Sequence, residues 1–107
     1  MSIFEVSVGE LEAALAAGAR LIDVREVDEY EAGHVPGAAL VVLGTVPDNV
    51  AAFEGEGTTY VICRSGARSL RACEFLAQQG VRAVNVAGGT MAWVADGRPI
   101  ETGSRPL

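Results

Sequence analysis

A chain of 107 residues, half of them apolar, fits one domain and can close a hydrocarbon core without disulfides or metal. Fourteen acidic residues against eight cationic ones leave a net charge of −6, which argues against a general nucleic-acid or anionic-membrane binder, since either needs clustered cations to displace counterions. Two cysteines are too few for a disulfide scaffold. The N-terminal stretch lacks the cationic and apolar regions of a secretion signal, and no segment approaches the roughly 18 apolar residues of a membrane span, so a reducing cytoplasm is the expected location.

Ile3 to Val6 is a short first strand. Ser7 with Glu10 three residues on forms a capping box, Leu11 and Leu15 follow at helical spacing, and Gly18 stops the helix. Leu21 to Val24 is a buried strand, and Glu26 to Ala32 one or two helical turns whose acidic residues read as a solvated face. A turn at His34 to Gly37 precedes an apolar run, Ala39 to Leu43, read as a strand. Pro47 to Phe53 is a short helix with Pro near its start. Thr59 to Cys63, rich in β-branched and aromatic residues, is the strongest strand signal. Ser69 to Gln79 is a helix stopped by Gly80, Ala83 to Val86 a strand, Gly88-Gly89 a turn, and Thr90 to Ala95 a last helix carrying Trp93. Alternation of short, apolar strands with helices predicts an α/β fold with a parallel-type sheet covered on both faces. A single domain over residues 1–107 is expected, with an ordered core over about residues 4–100 and a loose tail over residues 101–107.

The chemistry concentrates in C-R-S-G-A-R-S, Cys63 to Ser69. Cys63 closes a strand, and ligand chemistry in α/β sheets gathers at the carboxyl ends of strands. Gly66 permits a tight turn whose amides converge, the next helix adds its positive end, and Arg64 and Arg68 add guanidinium groups. Such surroundings favour a thiolate. Cys73 lies inside the following helix beside Ala72 and Leu76 and reads as core. The helical rise over ten residues, about 15 Å, sets it too far away for a disulfide. Asp23 and Arg25 read as a hydrogen-bonded carboxylate and its ion pair, His34 as a turn histidine orienting a loop, and Gly88, Gly89 and Trp93 as a turn and a core anchor. One His and two separated Cys offer no metal-ligand set, and no cofactor is implied.

L-I-D-V-R-E (Leu21 to Glu26), E-Y-E-A-G-H-V-P-G-A (Glu29 to Ala38), C-R-S-G-A-R-S (Cys63 to Ser69) and V-A-G-G-T-M-A-W (Val86 to Trp93) occur in the order they take in the rhodanese-like family. The chain resembles that family over roughly residues 4 to 100. The resemblance implies a central, mostly parallel five-stranded sheet flanked by helices. It implies a thiosulfate sulfurtransferase in which Cys63 carries sulfur as a persulfide, with Arg64, Ser65, Gly66, Ala67, Arg68 and Ser69 holding the substrate. Asp23 and Arg25 match the family's D-V-R segment. Ala67 is small where many members carry a larger polar residue, which leaves one contact fewer for a donor. The implied partners are a small anionic sulfur donor and a thiol or protein acceptor of sulfur, for a protein expected as a monomer or weak homodimer. Three other functions fit parts of the pattern: a persulfide relay to a partner protein, a non-catalytic binding module, and a cysteine phosphatase or arsenate reductase. The phosphatase type carries one residue more between Cys and Arg than the four separating Cys63 from Arg68.

Overall fold

The computed structural model describes residues 3–103. Its elements in chain order are β1 (Glu5–Val6), α1 (Val8–Ala16), β2 (Arg20–Asp23), α2 (Val27–Ala32), β3 (Ala39–Leu40), two 3-10 helices (Leu43–Asp48 and Val50–Phe53), β4 (Thr59–Ile62), α3 (Ala67–Gln78), β5 (Ala83–Val86) and α4 (Gly89–Ala95). The five strands form one sheet in the order β1-β5-β4-β2-β3, and every pairing is parallel. β4 is the middle strand, with Ile62 opposite Asp23 of β2 and Val61 opposite Asn85 of β5.

Side chains alternate across a strand, so each central strand feeds two separate cores. Ile22, Val24, Val61 and Cys63 point to the face covered by α3 and the 3-10 helices, where Val46, Phe53, Ala72, Cys73 and Leu76 complete the packing. Leu21, Ile62 and Val86 point the other way, toward Val8 and Leu11 of α1, Tyr30 of α2 and Trp93 of α4. The capping box of α1 is present in both directions, with Glu10 N–H donating to Ser7 Oγ at 3.1 Å and Ser7 N–H to Glu10 Oε1 at 2.9 Å. Trp93 is the expected core anchor; its indole N–H donates to Pro99 O at 2.7 Å.

Three expectations need correction. The apolar run Ala39 to Leu43 is a strand only over Ala39–Leu40. The chain continues to bond β2, Val41 N–H to Asp23 O and Leu43 N–H to Val24 O, but Thr45 N–H and Oγ1–H both turn back to Val42 O and tighten the backbone into a 3-10 turn. The short helix placed over Pro47 to Phe53 is therefore two 3-10 helices that begin earlier, at Leu43. The tail read as loose from residue 101 is tied at its first residue: His34 and Glu101 exchange backbone hydrogen bonds of 2.9 Å each way, and Gly103 N–H donates to Glu31 O. The rest of that tail, residues 104–107, lies outside the described residues.

Candidate active site

β4 ends at Ile62, so Cys63 is the first residue of the loop that leads into α3. Gly66 caps the helix at φ +109°, a left-handed conformation that side chains with Cβ resist. It lets α3 begin two residues before the expected Ser69. The reversal brings the Gly66 amide back onto the cysteine, whose Sγ accepts its N–H at 3.1 Å and the Ser69 hydroxyl at 3.3 Å.

The loop's carbonyls are drawn the opposite way. Thr90 donates to Cys63 O through its N–H at 2.9 Å and through Oγ1 at 3.1 Å, and Met91 N–H donates to Arg64 O at 2.9 Å. With both carbonyls held by the first turn of α4, the loop's amides are left to face the sulfur. Gly89 makes that approach possible. A Cβ at this position would lie 2.5 Å from Cys63 O and 2.6 Å from Arg64 O, and the residue sits at φ +59°. The G-G pair, read from sequence as a turn, is thus where α4 locks the cysteine loop.

Cys63 is only 1% exposed and packs in the same hydrocarbon cluster as Cys73. Burial pushes its thiol up, but hydrogen bonds from the Ser69 hydroxyl and from the amides of Ser69, Gly66 and Ser65 outweigh it, and the net displacement is below the ordinary thiol value. Cys73 has no such donors among the described residues, and burial, the largest cause, pushes it up to about 12. Both thiols are free, as expected, yet they share one buried cluster. α3 folds back along β4, and the Cys63 charge is itself one of the causes that raise Cys73.

The arginines differ from expectation. Arg68 makes a bidentate pair with Glu29 of α2, Nη1 to Oε1 at 2.7 Å and Nη2 to Oε2 at 2.8 Å. That pairing, foremost among several causes, holds the Glu29 carboxyl down at about 2 and raises Arg68. Arg68 therefore braces α3 against α2, and Glu29 is not a merely solvated charge. The pull on Cys63 toward its charged form comes foremost from the Ser69 hydroxyl and the amides, while the Cys63 charge and Arg68 also act on each other through space. Arg64 is exposed and makes no ion pair or side-chain hydrogen bond among the described residues. Ser65 is exposed, and Ala67 opens α3 without a polar group. Beside Arg64 runs a groove of about 460 Å³ between α2 and α4, floored by apolar surface from Ala32, Met91, Val94 and Ala95.

Asp23 and Arg25 form the expected buried pair. Arg25 Nη2 donates to Asp23 Oδ2 at 2.8 Å and also to Gly33 O at 2.8 Å, which ties β2 to the end of α2. His34 is fully buried and structural. Its Nδ1 donates to Tyr30 O at 2.8 Å and its ring stacks on Tyr30 at 3.8 Å. Sequence reasoning missed Asn85, the one amide in an otherwise apolar strand A-V-N-V. Its Nδ2 donates to Glu5 Oε2 at 2.7 Å and to Gly66 O at 3.2 Å, directly behind the cysteine loop.

A family model described as Rhodanese-like domain matches residues 7–96. A Bacillus subtilis protein named "Putative sulfurtransferase YtwF" is 38% identical over 101 residues, spanning 92% of this chain and 98% of the relative. A protein of Allochromatium vinosum named "Sulfurtransferase" is 37% identical over 81 residues, 75% of this chain and 76% of its own. Among solved structures, a rhodanese-like domain protein from Staphylococcus aureus superposes with a TM-score of 0.84 at 33% identity, over 95% of this chain and 100% of that one.

Proposed function

Because this chain belongs to the rhodanese-like, sulfurtransferase family, we propose that it moves sulfane sulfur from a small anionic donor such as thiosulfate to a thiophilic acceptor, holding it in transit as a persulfide on Cys63. The observation that carries this reading is the Cys63 sulfur itself: a buried thiol with two hydrogen-bond donors aimed at it and a net preference for its charged form.

The reaction divides into two displacements. The Cys63 thiolate attacks the outer sulfur of thiosulfate, the S–S bond breaks, and sulfite leaves with the bonding pair. The charge then resides on the outer sulfur of Cys63–S–S⁻, within reach of the loop amides that had served the thiolate. An acceptor nucleophile, cyanide or a thiolate, attacks that outer sulfur, and Cys63 leaves as the thiolate it began as. No general base is needed, consistent with His34 being committed to Tyr30. Arg64, at the rim and unpaired among the described residues, is the cation left to attract the donor, since Arg68 is engaged by Glu29. The four-residue spacing from Cys63 to Arg68 favours a single sulfur over a phosphate, so no turnover of phosphate esters is expected.

A persulfide relay differs only in the acceptor, and one observation favours it. The groove beside Arg64, about 460 Å³ and mostly apolar, is larger than a tetrahedral anion requires and suits an acceptor with an organic body. The test is intact-mass spectrometry after incubation with thiosulfate. The wild-type chain should gain one sulfur atom and Cys63→Ser none; equal gain by both, or no gain by the wild type, would overturn the proposal.

A further inference from the structure

Ser69 has one hydroxyl proton and two acceptors within reach, Cys63 Sγ at 3.3 Å and Gly66 O at 3.3 Å. The second is the ordinary back-bond of a serine in the first turn of a helix and draws the proton away from sulfur. Gly66 O, however, already accepts Leu70 N–H at 3.1 Å and Asn85 Nδ2 at 3.2 Å. A carbonyl oxygen has two lone pairs, and these two donors occupy them.

The amide of Asn85 is held in the one orientation that can do this. Both of its partners, the Glu5 carboxylate and the Gly66 carbonyl, only accept, so the NH₂ end must face them. The cost is visible at the other end: Asn85 Oδ1 is buried and has no partner among the described residues. An orphaned buried acceptor in the middle of a strand calls for a compensating role, and an apolar residue of similar size would avoid it.

We propose that Asn85 is a positioning residue for the chemistry of Cys63: by saturating the Gly66 carbonyl it leaves the Ser69 hydroxyl proton to the cysteine sulfur. Asn85 acts through Ser69 and touches no substrate. The inference rests on the reactive role given to Cys63, yet its test needs no sulfur transfer, so the two can fail separately.

The test is a double-mutant cycle read by titrating the Cys63 thiolate through its ultraviolet absorbance, in a Cys73→Ala background so that one thiol is observed. Asn85→Val and Asn85→Leu both suit a buried strand, and agreement between them guards against a folding artefact in either. Each should raise the Cys63 titration midpoint by roughly half to one unit, a three- to tenfold loss of thiolate below the midpoint. Ser69→Ala should raise it by at least as much, and adding either Asn85 substitution to Ser69→Ala should change nothing further. An unshifted midpoint in Asn85→Val and Asn85→Leu, or an effect of either that persists undiminished without the Ser69 hydroxyl, would overturn the proposal. A wild type that titrates as expected yet takes up no sulfur would instead refute the sulfurtransferase reading and leave this one standing.

Discussion

Cys63 and Cys73 occupy one buried cluster on one face of one sheet, and neither is more than 1% exposed, yet their thiols are displaced in opposite directions. Burial acts on both in the same sense. What separates them is the supply of hydrogen-bond donors. Cys73 lies in the interior of α3, where the helix consumes its own amides, whereas Cys63 lies at a strand-to-helix turn, where amides have no intrahelical partner. In this fold the two thiols are told apart by the Ser69 hydroxyl and the amides that converge on Cys63.

The sharpest way to break the comparison is to exchange the two residues' fates. Cys63→Ser should reduce sulfur uptake and turnover to the uncatalysed background. Cys73→Ala should leave steady-state turnover within about twofold while costing on the order of 1–2 kcal/mol in denaturant unfolding, the usual range for trimming a packed side chain. Next in size is Gly89→Ala, which drives a methyl into Cys63 O and Arg64 O. It should cost roughly 2–4 kcal/mol and suppress activity even where the protein still folds, because the carbonyls that α4 holds would be released toward the sulfur.

The arginines give a smaller and divergent pair of effects. Arg64→Ala should raise KM for thiosulfate about tenfold with little change in unfolding free energy, as expected for a cation that meets only the donor. Arg68→Ala should instead cost about 1 kcal/mol of stability, the upper range for a partly exposed but bidentate pair. Reversal of that order would mean that Arg68 lets go of Glu29 to take the donor.

pH sharpens the contrast most gently. Cys73 is raised from 9.0 to about 12 in the fold, so between those values the unfolded chain loses a proton that the folded chain keeps, and stability declines as pH climbs through that window, by at most about 1.4 kcal/mol per pH unit. Cys63, displaced downward, works in the opposite sense: it adds stability as pH rises through its folded value toward 9.0. At the acid end Glu29, lowered from 4.5 to about 2, contributes stability that is present above 4.5 and lost as pH falls through that interval. Thermal melts against pH should show the alkaline decline flattened in Cys73→Ala and kept in Cys63→Ser, and the acid decline weakened in Glu29→Gln.

Local chemistry made much of this legible from sequence. The run T-Y-V-I-C, the turn at Gly66 and the helix behind it are specified by neighbours within a dozen residues, and so is the capping box of Ser7 and Glu10. The Asp23–Arg25 pair spans two positions and could be named in advance. What escaped depends on partners far along the chain. Arg68 meets Glu29 across 39 residues, Asn85 meets Glu5 across 80 and Gly66 across 19, and Glu101 returns to His34. Gly89 could be read as a turn, but that its missing Cβ admits α4 to the cysteine loop follows only once β4 and β5 lie side by side. The strand expected through Leu43 ended early because the chain, although Val41 and Leu43 still bond β2, turns back at Thr45 onto Val42 O and tightens into a 3-10 helix.

The central claim is that donors, and not exposure, decide which thiol reacts, and peptide-mapped alkylation of the native protein at neutral pH tests it most directly, since both cysteines compete in one tube. Cys63 should be modified first, and Cys73 should remain protected until the chain is unfolded. Equal modification of the two, or labelling of Cys73 ahead of Cys63, would contradict the account.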